Sequence, residues 1–373
     1  MAFAYTPGLR VADNTVVRKE RRLPLTGETL VKEGDSVTAE TIVAKTELPG
    51  NVKMLNIANI MGLPPSDIPE LLFVKEGDLL EENQTIGQSK GFFGLFKNTV
   101  RSPIEGVFES YNRITGQAIL REPPIPVEVD AYLKGTVTGI LENEGVIVES
   151  RATYVQGIFG IGGETRGELK ILTDGPADEL TEDLLNESCR GKILVGGSFV
   201  SYKTLNRATE YGVNAIIVGG FDDKDLKEFL GYDLGVAITG HEKKGITLIL
   251  TEGFGRMTMA HETFKLLKSR EGLLASVNGA TQIRAGVMRP EVAIPVEETD
   301  THKDKEKQAG AMDIGSPVRC IRAPYFGKLG TVEALPAELK LLDSEASVRV
   351  LDVKFADGKV VTVPRANVEL IEG

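Results

Sequence analysis

The chain has 373 residues, 41% of them hydrophobic and 26% charged, which excludes a largely disordered protein and leaves room for two or three domains. Its formal net charge of −11 weighs against broad backbone-driven nucleic-acid binding, which needs clustered Lys and Arg. No apolar run approaches the roughly 20 residues of a membrane span. Residues Met1 to Gly8 lack the basic-then-apolar order of a secretory leader, and Cys189 and Cys320 have neither metal-ligand nor disulfide-framework spacing. A reducing cytoplasm, no metal and no cofactor are therefore expected. There are 41 glycines, against roughly 26 in an average chain of this length, so many tight turns are expected.

In chain order, the first feature is a repeat. Val31-Lys32-Glu33-Gly34-Asp35 returns as Val74-Lys75-Glu76-Gly77-Asp78, each copy followed by a second apolar stretch, Ser36–Ala44 and Leu79–Gly87. A Gly-Asp pair between short alternating segments predicts a tight turn. Val100–Phe108, with Pro103 and Gly106, then Lys134–Ile140 and Gly145–Ser150 add further period-2 strands. The Val-x-x-Gly-Asp turn at Val74, Gly77 and Asp78, with the Ser-Pro-x-x-Gly-Val turn at Ser102, Pro103, Gly106 and Val107, resembles the barrel-sandwich hybrid fold. That fold occurs in biotinyl and lipoyl carrier domains, membrane-fusion proteins and some electron-transfer subunits. Carriers place an exposed lysine in a Met-Lys-Met or Asp-Lys-Ala tripeptide between the two signatures. Here Lys90, Lys97 and the first-copy Lys53 lack those flanks, so an unmodified domain is expected. Phe92, Phe93, Leu95 and Phe96 form a Gly-punctuated loop, either a docking patch or a cap on the open end of the barrel.

From about residue 165 the texture changes. Lys192–Val195 ends in Gly196-Gly197-Ser198; a helix is predicted over Tyr202–Tyr211; Ala215–Val218 ends in Gly219-Gly220. These make a βαβ unit with a parallel sheet. Asp222 caps a second predicted helix through Leu226, Phe229 and Leu230. Val236–Ile238 ends at His241, Ile246–Leu250 ends in Gly253-Phe254-Gly255, and a longer helix follows over Met257–Ser269. The pattern predicts a Rossmann-like or swivelling α/β domain. Glycines at the ends of parallel strands line the crevice where ligands bind. Gly196, Gly197, Ser198, Gly219, Gly220, His241, Gly253 and Gly255 are thus a candidate rim for an anion or small ligand, with Arg256, Arg284 or Arg289 as charge partners. The competing reading is that glycine serves only to turn the chain. His241 beside Glu242 is the best acid/base candidate, but no nucleophile or metal cluster assembles around it.

Glu297–Gln308 is a mixed-charge run that reads as a linker. After it, Val318, Arg319 and Ile321 lead to Pro324, Gly327, Gly330 and Val332. This stretch resembles a KOW motif of transcription elongation factors and ribosomal proteins, in which Gly327 and Gly330 allow the reversal. With strands at Ala346–Val353, Lys359–Pro364 and Asn367–Ile371, an SH3-like barrel is expected. The resemblance implies contact with RNA, ribosome or polymerase through Arg319, Arg322, Tyr325, Phe326 and Lys328. Residues 312–373, however, hold eight Lys/Arg against nine Asp/Glu, so a protein partner or one local RNA contact is equally implied.

The expected organisation is therefore multidomain, β-rich plus α/β. An all-β region of the barrel-sandwich hybrid kind occupies 1–160, the α/β domain 165–295, a charged linker 296–311 and the KOW barrel 312–373. The sequence leans towards a cytoplasmic, non-enzymatic adaptor, with a small-ligand or cofactor-binding accessory protein as the alternative.

Overall fold

The structure, a computed structural model, describes residues 9–90, 97–231, 244–281, 288–296, 312–320, 324–325, 328–336, 338–341, 347–355 and 357–372. The fold is mostly β. The two copies of Val-Lys-Glu-Gly-Asp make the same turn. The Lys32 amide donates to the Asp35 carboxylate at 2.8 Å and the Lys75 amide to Asp78 at 2.7 Å. The middle glycines adopt φ 90° (Gly34) and 94° (Gly77), the left-handed region that other residues enter at a cost. Each turn also docks alike on a later strand: the Gly34 and Gly77 amides donate to the carbonyls of Val137 and Phe108, both at 2.8 Å.

These paired contacts reveal that one copy is nested in the other. Strand Ile42–Leu48 of the first copy pairs antiparallel with Ile125–Asp130, and residues 49–124 fill the gap between the two. The second copy lies inside that gap. There Thr85–Gln88 pairs with Thr99–Arg101, and strands Val52–Asn56, Gln117–Arg121, Gly106–Tyr111 and Leu79–Leu80 make a small sheet. The inner module has its own core around Ile57, Ile68, Ile86, Phe108 and Leu120. The outer one buries Val37, Val43, Ala131, Val137, Val146 and Val148.

The expected break near residues 160–165 is bridged by hydrogen bonds. Strand Leu9–Arg22 pairs along its length with Gly145–Gln156. The latter pairs with Glu291–Pro295, which pairs with Leu274–Asn278, which pairs with Glu164–Ile171. The all-β region and the middle region therefore share one ladder. Their boundary is blurred because Leu9–Arg22 and Gly145–Gln156 are longer than the nested modules need.

The middle region contains parallel strands in the order Glu164–Ile171, Ile193–Val195, Ala215–Phe221 and Thr247–Phe254. Phe159–Ile161 closes the edge antiparallel. Alternate residues face opposite cores. Leu194, Ile216, Val218, Leu248 and Leu250 meet the helices Tyr202–Glu210 and Asp223–Leu230. Ile193, Val195, Ala215, Ile217 and Ile249 meet the helix His261–Ser269 through Phe264 and Leu267. Burial on both faces explains why these strands read as unbroken apolar runs. The first two helices begin where the sequence places them, with Ser201 accepting from the Thr204 amide and Asp222 from the Lys224 amide. The predicted strand Val236–Ile238 lies outside the described residues.

The last strands, Pro317–Cys320, Leu329–Ala334, Leu339–Leu341, Ser347–Phe355, Val360–Pro364 and Val368–Glu372, form an antiparallel half-barrel. Its small core includes Val318, Cys320, Val332, Leu351, Val353 and Val368. Ile371 and Glu372 pair parallel with Leu9 and Arg10, so the end of the chain extends the same ladder.

Two glycine substitutions separate the constraints at work. A Cβ on Gly219 would lie 2.0 Å from the Met257 carbonyl oxygen, whereas one on Gly34 meets nothing within 4 Å. Gly219→Ala is expected to lower unfolding free energy by about 1–3 kcal/mol through overpacking. Gly34→Ala should cost about 1 kcal/mol, from its φ alone. Urea titrations of the two variants check the ordering.

Candidate functional site

The C-terminal half-barrel meets the middle region through a buried charge cluster centred on Arg319. Between Val218 and Gly220 the parallel ladder slips, so that Thr251 and Glu252 together oppose Gly219. Such a bulge releases backbone groups from pairing and redirects side chains. Arg319 takes up the released carbonyls: its Nη1 donates to Thr251 O and Glu252 O, each at 2.9 Å, and to Glu252 Oε2 at 3.2 Å. Its Nη2 lies 3.7 Å from Glu369 Oε1. Arg289 reaches Glu369 from the other side at 3.0 Å. Glu252 also accepts from the Ala260 amide at 2.9 Å, just before helix His261–Ser269. Two arginines and two carboxylates therefore neutralise one another. The Arg319 side chain is 2% exposed, and burial pulls its basicity below the ordinary range while Glu252 and Glu369 oppose the shift.

This corrects the reading of Arg319 as a docking residue. It points inward because the bulge offers more acceptors than solvent-facing neighbours could. Arg289, expected beside the strand-end glycines, belongs to the same cluster.

At the surface of the half-barrel Tyr325 stands beside two lysines, over the buried Phe355. Tyr325 is half-buried and its ring stands 5.4 Å from that of Phe355, tilted by 49°. Lys328 lies over the Phe355 ring at 5.3 Å and Lys359 over the Tyr325 ring at 5.7 Å; both lysines are exposed. The structure thus brings together the expected Tyr325 and Lys328, and adds Phe355 and Lys359 from strand Ser347–Phe355 and the turn after it. Sequence reasoning missed these two because they lie about thirty residues downstream and align only through strand pairing. Phe355 does stand at the end of an alternating strand, which was the available signal. Arg322 and Phe326 lie outside the described residues.

The glycine rim is packed against the chain's own backbone. Ser198 donates its amide to Asp178 O at 2.7 Å, Gly219 to Gly197 O at 2.8 Å and Gly255 to Phe221 O at 2.8 Å, while Gly196 donates to Ile217 O at 2.9 Å. A Cβ on Gly197 would lie 2.4 Å from Asp178 O, and one on Gly220 2.0 Å from Gly255 O. Segments 175–178 and 255–259 cover the strand ends, so the glycines permit close backbone approach, and the amides of Gly196, Ser198, Gly219 and Gly255 are already satisfied. Gly253 is buried in the bulged strand. Arg256, an expected charge partner, pairs with Glu179 and stacks over Phe199 at 4.5 Å. His241 and Arg284 lie outside the described residues. So does the Phe92, Phe93, Leu95 and Phe96 loop. Lys53 sits within strand Val52–Asn56, opposite Leu120, and not at a hairpin tip.

A second polar cluster fixes the nested modules to the shared ladder. Tyr132, at φ 65°, is held by its amide donating to Asp130 at 3.1 Å and by its carbonyl accepting from Ser276. Lys19 lies over the rings of Tyr132 and Tyr154, at 5.9 and 5.8 Å, and pairs with Glu291 at 2.5 Å. The Tyr154 hydroxyl donates to Glu291 at 2.6 Å. Arg21 and Arg166 both pair with Asp130. Burial first, then the Glu291 carboxylate, pushes both phenols above their ordinary range. Both are held neutral, Tyr154 as a donor to Glu291, and are unsuited to act as bases. Among the described residues no group of three or more His, Cys, Asp and Glu could hold a metal ion, and no helix is long and apolar enough to cross a membrane.

Removing Arg319 leaves Glu252 and Glu369 short of a buried partner, so Arg319→Met is expected to cost about 3–5 kcal/mol. Adding Glu252→Gln should recover part of that loss, and a double-mutant cycle by denaturant unfolding measures the coupling. The tyrosines set an alkaline limit. Their folded pKa values are raised, so stability is intact below the unfolded phenol value of about 10 and falls as pH rises above it. Replacing both by Phe should take about 2.7 kcal/mol per pH unit out of that slope, at about 1.36 for each phenol, measured as unfolding free energy between about pH 10 and 12. No protein-family model matches the chain, and no curated protein matches it.

Proposed function

We propose that the chain is a non-enzymatic cytoplasmic adaptor that docks through its C-terminal barrel onto ribosome or RNA polymerase. In this reading the last strands are an SH3-like barrel of the KOW kind. The nested modules are two barrel-sandwich hybrid units, and the parallel sheet is a Rossmann-like or swivelling α/β domain. The observation that carries the proposal is half-buried Tyr325, seated on the buried Phe355 and flanked by exposed Lys328 and Lys359. An aromatic face edged by lysines suits stacking on a base or burial at a protein interface. Two exposed lysines in a near-neutral module fit one local contact better than extended backbone binding. The alternative of a small ligand at the strand ends loses support, because the amides of Gly196, Ser198, Gly219 and Gly255 are bonded within the chain.

The test is co-sedimentation of the full chain with purified ribosomes, and separately with RNA polymerase core enzyme. Wild type is expected to bind one of them. Lys328→Ala/Lys359→Ala, which leaves the packed Tyr325 in place, should weaken that binding by about tenfold or more while keeping the melting temperature. Equal binding by the variant, or no binding of wild type to either assembly, overturns the proposal.

A further inference from the structure

At the Arg319 junction the shared ladder, the middle region and the half-barrel line a small, partly open cavity. Its walls are Leu9 and Val11 from the first strand, Gln156 from the end of its partner strand, Thr251, Glu252, Ala260 and Thr263 from the middle region, and Arg319 from the half-barrel. Its volume is about 20 Å³, above the roughly 10–15 Å³ that one water requires and too small for a larger guest. The wall is largely apolar but carries polar side chains that are themselves buried: Thr251, Glu252, Thr263 and Arg319. Arg319 has used Nη1 on three acceptors and turned Nη2 to Glu369. Its Nε is buried without an acceptor among the described residues. A buried guanidinium N–H left so has lost its hydration without a compensating hydrogen bond.

We propose that this cavity is a binding site for a single structural water, which accepts from Arg319 Nε and bridges the half-barrel to the middle region. The charge pattern selects water over a small anion. The nearby Arg319 and Arg289 are balanced by Glu252 and Glu369, and Glu252 itself lines the cavity. A neutral molecule that both accepts and donates suits an arginine N–H on one side and a carboxylate or threonine hydroxyl on the other. Buried waters in such places make about three hydrogen bonds and are costly to displace.

Two measurements on the full chain test the site. A crystal structure at high resolution is expected to show one ordered solvent peak within hydrogen-bond distance of Arg319 Nε. A cavity without a peak, or Nε turned onto a protein acceptor, overturns the proposal. The second measurement relies on a difference of sign. Val11→Ile adds one methyl from the apolar side. Filling a dry cavity raises the melting temperature, whereas expelling a bridging water from a wet one strands Nε and lowers it. A lowered melting temperature is expected; a raised or unchanged one contradicts the water.

Discussion

Everything in this fold hangs on one antiparallel pair, strand Leu9–Arg22 against Gly145–Gln156. Its length gives it more edges than a single module needs. One end accepts Ile371 and Glu372 of the half-barrel. Another stretch of Gly145–Gln156 accepts Glu291–Pro295 and, through it, the middle sheet. Its opposite end accepts Gly135–Leu141 and so the outer nested module. Because strand pairing fixes register wherever a face is buried, these attachments share a common frame.

The polar clusters sit where that frame changes hands. Tyr132, Lys19, Tyr154 and Glu291 stand where the nested modules leave the ladder, and Arg319, Glu252, Glu369 and Arg289 where the half-barrel joins it. Apolar packing alone would hold these joints together but specify their geometry weakly. Neutralised, hydrogen-bonded charges hold one arrangement, since every displaced alternative leaves a buried charge without a partner. The Thr251–Glu252 bulge is the clearest case. It disturbs a parallel ladder and is compensated by a residue almost seventy positions later.

Local chemistry was legible in the sequence, and long-range assignment was not. The repeated Val-Lys-Glu-Gly-Asp turn is written in adjacent residues, and both copies fold as their Gly-Asp pairs require. The helix cap Asp222 was readable for the same reason. That one copy of the repeat sits inside the other could be learned only from the pairing of Ile42–Leu48 with Ile125–Asp130. The KOW resemblance puts Arg319 on the docking surface, and a bulge in another strand cannot be seen from its own neighbours. The glycines after the parallel strands read as a ligand rim or as plain turns, and sequence could not tell that the chain's own backbone packs against them.

The nesting also bears on the order in which the chain can fold. The inner module closes on itself, with Val52–Asn56 meeting Gln117–Arg121, and has a core of its own. It can therefore form while the chain is still being made. Strand Leu9–Arg22 emerges earlier yet must wait for Gly145–Gln156, and its first residues for Ile371 and Glu372. A strand left open so long is a template for pairing with other chains. Its second half, Arg18-Lys19-Glu20-Arg21-Arg22, carries consecutive charges of the kind that discourage such pairing. Lys19 and Arg21, which later stack on tyrosines and join ion pairs, serve first to keep the waiting strand in solution.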